Sequence, residues 1–199
     1  MAEAARRLDV LDTAPRFTAV EADALNARFA GIATREMLAA VLSEGLAGRV
    51  ASVSSFGAES AVLLHLIASV DPSVPVLFLD TGKHFAETLA YRDELVGRLG
   101  LTNLINLVPD ETEIAARDGN GLRWSFDPDG CCEIRKVAPL ARALTGFDAS
   151  FTGRKGFQSA TRAGLARFEI DTTDAAGRLK INPLADWSSD QIEAYFAAT

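Results

Sequence analysis

The sequence predicts an α/β protein: a mostly parallel sheet covered by helices on both faces. Short runs rich in β-branched and apolar residues alternate along the chain with amphipathic segments of helical spacing. These runs are apolar throughout their length rather than alternating apolar with polar, as expected of strands buried on both faces. A length of 199 residues, 48% of them hydrophobic, suits one domain that buries a core without disulfide staples. Residues 1–199 are therefore read as a single domain.

From about Val20 to Leu46, VEADALNARFA and TREMLAAVLSEGL give two helices, with Thr34 placed to cap the second. After Gly48, RVASVSS reads as a strand, FGAES as a loop and SAVLLHLIASV as a helix. VPVLFLD is a second strand stopping at DTG, and HFAETLAYRDELVGRLG an amphipathic helix closed by Gly100. NLINLVP supplies a third strand and DETEIAAR starts a short helix. From Asp118 to Gly130 the chain is rich in Gly, Asp and Pro and is expected to be irregular. CCEIRKVAPLARAL returns to helical spacing, DASFTG is a fourth strand, and RKGFQSATRAGL a polar loop. INPLADWSSDQIEAYFAAT opens a last helix at Ser188 or Ser189. It stops at Thr199 without a Gly, a basic turn or a polar tail, so the chain reads as truncated at its C-terminus.

The formal charge of −7 argues against a surface that holds nucleic acid by counterion release. The first residues, MAEAARRLDVLDTAPRF, carry charges where a secretory leader needs an apolar run. No stretch approaches the roughly 20 apolar residues of a membrane span. A cytoplasmic location is therefore expected, with no membrane partner. There the two cysteines would be reduced. As chain neighbours, Cys131 and Cys132 would form only a strained disulfide, so the pair reads as chemistry rather than as a staple.

In such sheets ligands sit at the carboxyl ends of the strands, where three polar loops fall. The first is Ser54-Ser55-Phe56-Gly57-Ala58-Glu59-Ser60, between a strand and a helix. It offers N–H groups and hydroxyls to an anion at a helix N-terminus, yet lacks the GK[ST] ending of a Walker A loop. A helix-capping turn would use the same residues. The second is Leu79-Asp80-Thr81-Gly82, followed by Lys83, His84, Phe85 and Glu87. The third, Thr152 to Arg162, carries Arg154, Lys155, Gln158 and Arg162. Arg binds phosphate or sulfate oxygens through paired hydrogen bonds and Lys binds them as a point charge. His65 lies in an apolar helix and is assigned to the core or helix surface. His84 either lines the pocket or starts a helix, and Trp124, Trp187 and the 11 Phe are assigned to packing.

The Ser loop followed by LDTGxxFxET resembles the PP-loop, or adenine nucleotide alpha hydrolase-like, superfamily. Cys131-Cys132-Glu133-Ile134-Arg135-Lys136-Val137-Ala138-Pro139-Leu140 resembles the CCxxRKVxPL segment of the iron-sulfur adenylylsulfate (APS) reductases, and the likeness runs from about Val50 to Trp187. Gly156 stands where that family has a basic residue, which leaves Lys155 and Arg162 as the stronger phosphate contacts.

The resemblance implies that Cys131 and Cys132 are two of the four ligands of a [4Fe–4S] cluster, the other pair coming from a downstream CxxC. Arg135 and Lys136 would favour the thiolates and balance the cluster's charge. It implies reduction of APS to sulfite and AMP through a thiosulfonate on a C-terminal cysteine, with thioredoxin or glutaredoxin as the thiol donor. Adenine would lie against the backbone near Leu79 to Thr81. The phosphosulfate would lie on the Ser54–Ser60 loop with Lys136, Lys155 and Arg162, Lys136 giving electrostatic support. Since the 199 residues contain only the adjacent cysteine pair, they are expected to bind substrate rather than turn it over. PAPS reduction, ATP pyrophosphatase or sulfate adenylyltransferase chemistry, and a binding module without catalysis remain as alternatives, and a homo-oligomer is left open.

Overall fold

Six strands form one sheet in the order β3-β2-β1-β4-β6-β5. They are β1 Val50–Val53, β2 Val76–Leu79, β3 Leu104–Leu107, β4 Ala149–Phe151, β5 Phe168–Ile170 and β6 Leu179–Ile181. In this computed structural model the described residues are 16–158, 164–174 and 176–199. All strand pairs are parallel except β5 with β6. The chain runs outward from β1 through β2 to β3, then crosses back to β4 on the other side of β1. The crevice between the ends of β1 and β4 is therefore the topological switch point, where such sheets bind ligands.

The predicted helices form as α1 Ala19–Arg28, α2 Thr34–Ser43, α3 Ser60–Ala68, α4 Ala86–Leu99 and α5 Glu111–Arg117. The left-handed Gly100 ends α4 as expected. Thr34 does not cap α2. It is the first helical residue, after Ala33, and its buried hydroxyl donates to the Pro183 carbonyl and accepts from Trp187 Nε1 at 2.8 Å. Tertiary partners have claimed the hydroxyl that a cap would use.

The irregular stretch also ends earlier than expected. Residues 123–125 make a 3-10 turn, and a helix α6, Pro128–Cys132, begins before the cysteines. Pro128 suits the first turn, and the Asp127 carboxylate accepts the Gly130 N–H at 2.9 Å, so the sequence carries its own start signal. A π-helical turn, Glu133–Val137, joins α6 to α7, Ala138–Leu144. Helix α8, Ser189–Ala198, starts with a capping box between Ser188 and Gln191.

Strands β5 and β6 escaped the sequence reading. Each has three residues, and the Glu169–Lys180 pair of the hairpin breaks the apolar runs expected of buried strands. The edge of β5 is covered by α1, where the Asn26 side chain accepts the Phe168 N–H at 3.0 Å and donates to its carbonyl at 2.7 Å. The core lies on both faces of the sheet, with Ala51, Val76, Leu77, Phe78, Ala149, Phe151, Leu179 and Ile181 all inaccessible to solvent.

Candidate active site

Beside β1, the loop of residues 54–60 and the loop after β4 enclose a cavity of about 450 Å³. It is lined by Ser55, Gly57, Glu59, Ser60, Arg154 and Lys155, among others. Ser54 is buried and its Oγ accepts the Phe56 N–H at 3.1 Å, which turns the loop sharply. Phe56 holds a left-handed backbone at φ 54°, the only non-glycine residue to do so among the described residues. A local cost on the order of 1–3 kcal/mol is tolerated where surrounding packing enforces it. That packing is the Phe56 ring, 1% exposed and set edge-on to Phe78 at 5.6 Å between centroids. Phe56 therefore belongs to the core and gives the loop only its backbone.

The loop after β4 is tied to the same place. Lys155 is buried, and its Nζ lies 2.8 Å from Glu59 Oε2 and donates to the Gly153 carbonyl at 3.2 Å. Glu59, a carboxylate, cannot ligate an anion directly and instead pins Lys155 to the mouth of the crevice. Arg154 is ion-paired with Glu169 of β5. Of the residues 54–60, Ser55 and Gly57 to Ser60 thus meet Lys155 at the switch point, while Ser54 and Phe56 lie behind the cavity wall. Gln158 closes a 3-10 turn, Gly156–Gln158. Its side chain and the whole of Arg162 lie outside the described residues.

Lys136 does not join that cavity. It lines a second one, of about 560 Å³, with Thr81, Lys83, His84, Phe85, Trp124, Pro128, Cys131, Cys132 and Arg135. The linings of the two cavities share no residue. Cys131 is buried and Cys132 exposed, neither in a disulfide. Lys83, His84, Arg135 and Lys136 line this space without a carboxylate among them, and the two lysines favour an anion there. Among the described residues no group of three or more His, Cys, Asp or Glu side chains converges to hold a metal ion.

The backbone after β2 is ordered by its own side chains. The Gly82 N–H donates to Asp80 Oδ1 at 3.1 Å, the Lys83 N–H to Thr81 Oγ1 at 3.3 Å, and His84 Nε2 meets the Leu79 carbonyl at 2.8 Å. Gly82 is left-handed at φ 65°. His84 therefore lines the cavity, while His65 Nδ1 pairs with the Tyr195 hydroxyl at 2.8 Å on the far side of α3.

Sequence reasoning missed Asp118. Its buried carboxylate pairs with Arg135 at 2.6 Å, and the hydrogen bonds from Arg135 and from the Arg123 N–H hold it below the ordinary aspartate range. Arg135 is thus neutralised locally rather than offered to the thiolates, and Lys83 and Lys136 remain as cations of the cavity wall. The packing assignment of the aromatics also needs correction here. Trp124 is 56% and Phe85 79% exposed, both on the rim of the cysteine cavity.

The sheet order and its switch-point crevice are those of the adenine nucleotide alpha hydrolase-like fold. A solved FMN adenylyltransferase of Candida glabrata shares that fold at TM-score 0.56 and 14% identity, covering 88% of this chain and 63% of that one. Residues 49–199 match the phosphoadenosine phosphosulfate reductase domain, and the chain belongs to that family. An adenosine 5'-phosphosulfate reductase of Mesorhizobium japonicum is 45% identical over 193 residues, 97% of this chain and 74% of that protein. One from Chelativorans sp. (strain BNC1) is 49% identical over 181 residues, 90% of this chain and 72% of that protein. The crystal structure of a phosphoadenylyl-sulfate reductase from Candida auris, a phosphate complex, superposes at TM-score 0.72 with 26% identity, covering 92% of this chain and 87% of that one.

Proposed function

We propose that this chain binds adenosine 5'-phosphosulfate and belongs to an assimilatory reductase that converts it to sulfite and AMP. The observation that carries this reading is one cavity in which Cys131 and Cys132 meet Lys83, Lys136 and the Thr81 loop. The relatives named for this reaction support it. The phosphate of the nucleotide would lie toward the helix N-terminus at Ser60 and Lys155, and the sulfonyl oxygens, only one bridging oxygen away, toward Lys136, whose point charge would stabilise the charge that develops as AMP leaves.

Cys131 and Cys132 fit a [4Fe–4S] cluster as half of its ligand set, since adjacent thiols line an electropositive cavity and two more thiolates are required. When bound, the cluster would supply a fixed, polarisable iron-sulfur charge centre held by these two thiolates. With both cysteines so assigned, neither is the nucleophile, and a third thiol attacks the sulfate sulfur and displaces AMP, giving a thiosulfonate. A thiol of a thioredoxin-type protein then attacks the enzyme sulfur. A disulfide forms as sulfite leaves, so two thiols supply the two electrons that reduce the sulfur. The exposed Phe85 and Trp124 offer that protein an apolar rim.

The test is to supply the purified, anaerobically prepared gene product with APS, PAPS or ATP and reduced thioredoxin. Sulfite and AMP from APS, with about four irons per chain lost in Cys132→Ser, are expected. A preference for PAPS in an iron-free protein, or magnesium-dependent release of pyrophosphate from ATP, would overturn the reading.

A further inference from the structure

The Asp118–Arg135 pair is buried at side-chain exposures of 0% and 8%. Apolar groups of the same size would hold this space about as well as a buried ion pair, whereas removing one partner leaves the other charge buried and unpaired, so the pair's presence points to geometry. Asp118 also directly follows α5, at the negative end of that helix, where a carboxylate is disfavoured without a cation. Its two oxygens are both used. Oδ1 accepts the Arg123 N–H at 2.8 Å, and Oδ2 accepts Arg135 Nη2 at 2.6 Å and Nε at 3.2 Å. The third arm of the guanidinium, Nη1, donates to the Thr81 carbonyl at 2.8 Å. A parallel tie runs from Lys83 Nζ to the Gly121 carbonyl at 2.7 Å. One fork thus joins the loop after β2, the loop after α5 and the π-helical turn next to both cysteines. Lysine could reach only one of these partners at a time.

We infer that the Asp118–Arg135 pair is a positioning device that fixes the Thr81–Gly82 loop against the cysteine-bearing helix and so sets the nucleotide-binding geometry. The nucleotide part rests on the function proposed above; the mechanical part does not.

The two parts are read separately in Arg135→Lys, Arg135→Ala and Asp118→Asn/Arg135→Ala. The Gly82 and Lys83 amides are hydrogen-bonded within their loop, so hydrogen exchange reports its order directly. In Arg135→Lys both should exchange about tenfold faster, with the amides of β6 unchanged as a check on global folding. AMP affinity by calorimetry should fall about tenfold, the scale of about one hydrogen bond to the nucleotide forfeited by a loosened loop. Millimolar guanidinium should restore protection and AMP affinity to Arg135→Ala, and should restore neither to the double variant, which lacks the anchoring carboxylate. A purely structural arginine would give the carboxylate-dependent rescue of protection but would leave AMP affinity unmoved in every variant. Unchanged exchange at Gly82 and Lys83 would overturn the inference, as would a loosened loop with AMP affinity intact. If the unmodified chain binds no AMP, the nucleotide reading falls, and the exchange and rescue results still decide the clamp.

Discussion

Beside β1, the loop of residues 54–60 is anchored by the Phe56 ring, buried against Phe78; beside β2, the Thr81 loop is anchored by the Arg135 guanidinium, buried against Asp118. The first anchor is apolar and depends on neither pH nor salt. The second is ionic and lasts only while a carboxylate stays charged. The difference suits the chemistry proposed for each side. A nucleotide phosphate needs a preset ring of N–H donors, which an inert anchor keeps in place. The cysteine side must bring cations close to thiols without crowding them, and a neutralised guanidinium does so by holding backbone rather than by lending charge.

The strongest challenge to this contrast is Phe56→Ala. Removing a buried Phe from a packed core costs about 3–5 kcal/mol, and here the strained backbone would lose the packing that enforces it. Urea unfolding should show that loss at pH 7 and at low and high salt alike. A cost under about 1 kcal/mol would mean that the ring is not the anchor.

Acid should act on the other side. Asp118 is held below its ordinary value by Arg135 and the Arg123 N–H, and Asp127 by the Gly130 N–H that starts α6. A carboxylate with a depressed folded-state pKa contributes stability that is complete above the ordinary value of 3.8 and is lost as pH falls below that value through the depressed one. Trp124 fluorescence should therefore report loosening of the cysteine side below about pH 4, before the sheet unfolds by circular dichroism. In Asp118→Asn that early acid step should shrink. Coincident transitions at both probes would show that the two sides share one anchor.

Legibility in the sequence divides along the same line. The Ser54–Ser60 and Leu79–Gly82 loops could be read because each is contiguous and sits where an apolar run stops and helical spacing begins. Cys131 and Cys132 could be read because adjacent thiols before Arg135 and Lys136 are an uncommon grouping. Asp118 could not, since its partner lies 17 residues away and the DGNG around it carries only a turn signal. The Glu169 that occupies Arg154 sits on a strand too short to show a period, and which cavity Lys136 lines could not be read because spacing says nothing about which rim loop a helix faces.

Lys136→Ala tests where the sulfonyl group lies. Its side chain is exposed, so stability should change by no more than about 0.5 kcal/mol. A charged hydrogen bond is worth about 1.5–3 kcal/mol, so APS affinity by calorimetry should fall about 10- to 100-fold, with AMP affected less because it lacks the sulfonyl oxygens. Equal losses for APS and AMP would move Lys136 from the sulfonyl group to the phosphate.

The smallest effect is expected at Ser55→Ala. The hydroxyl is exposed on the wall of the switch-point cavity, and its contact with the Gly57 N–H is long at 3.5 Å, so the loop does not depend on it. What remains is one neutral hydrogen bond to ligand, worth about 0.5–1.5 kcal/mol, or a twofold to tenfold loss in affinity. Because that bond would go to the phosphate, the loss should be the same for AMP as for APS, the opposite of the Lys136 pattern. The two variants together therefore separate the phosphate side from the sulfonyl side. A Ser55→Ala loss confined to APS would place the sulfonyl group at the β1 loop, and the division of the rim between nucleotide and cysteines would have to be reversed.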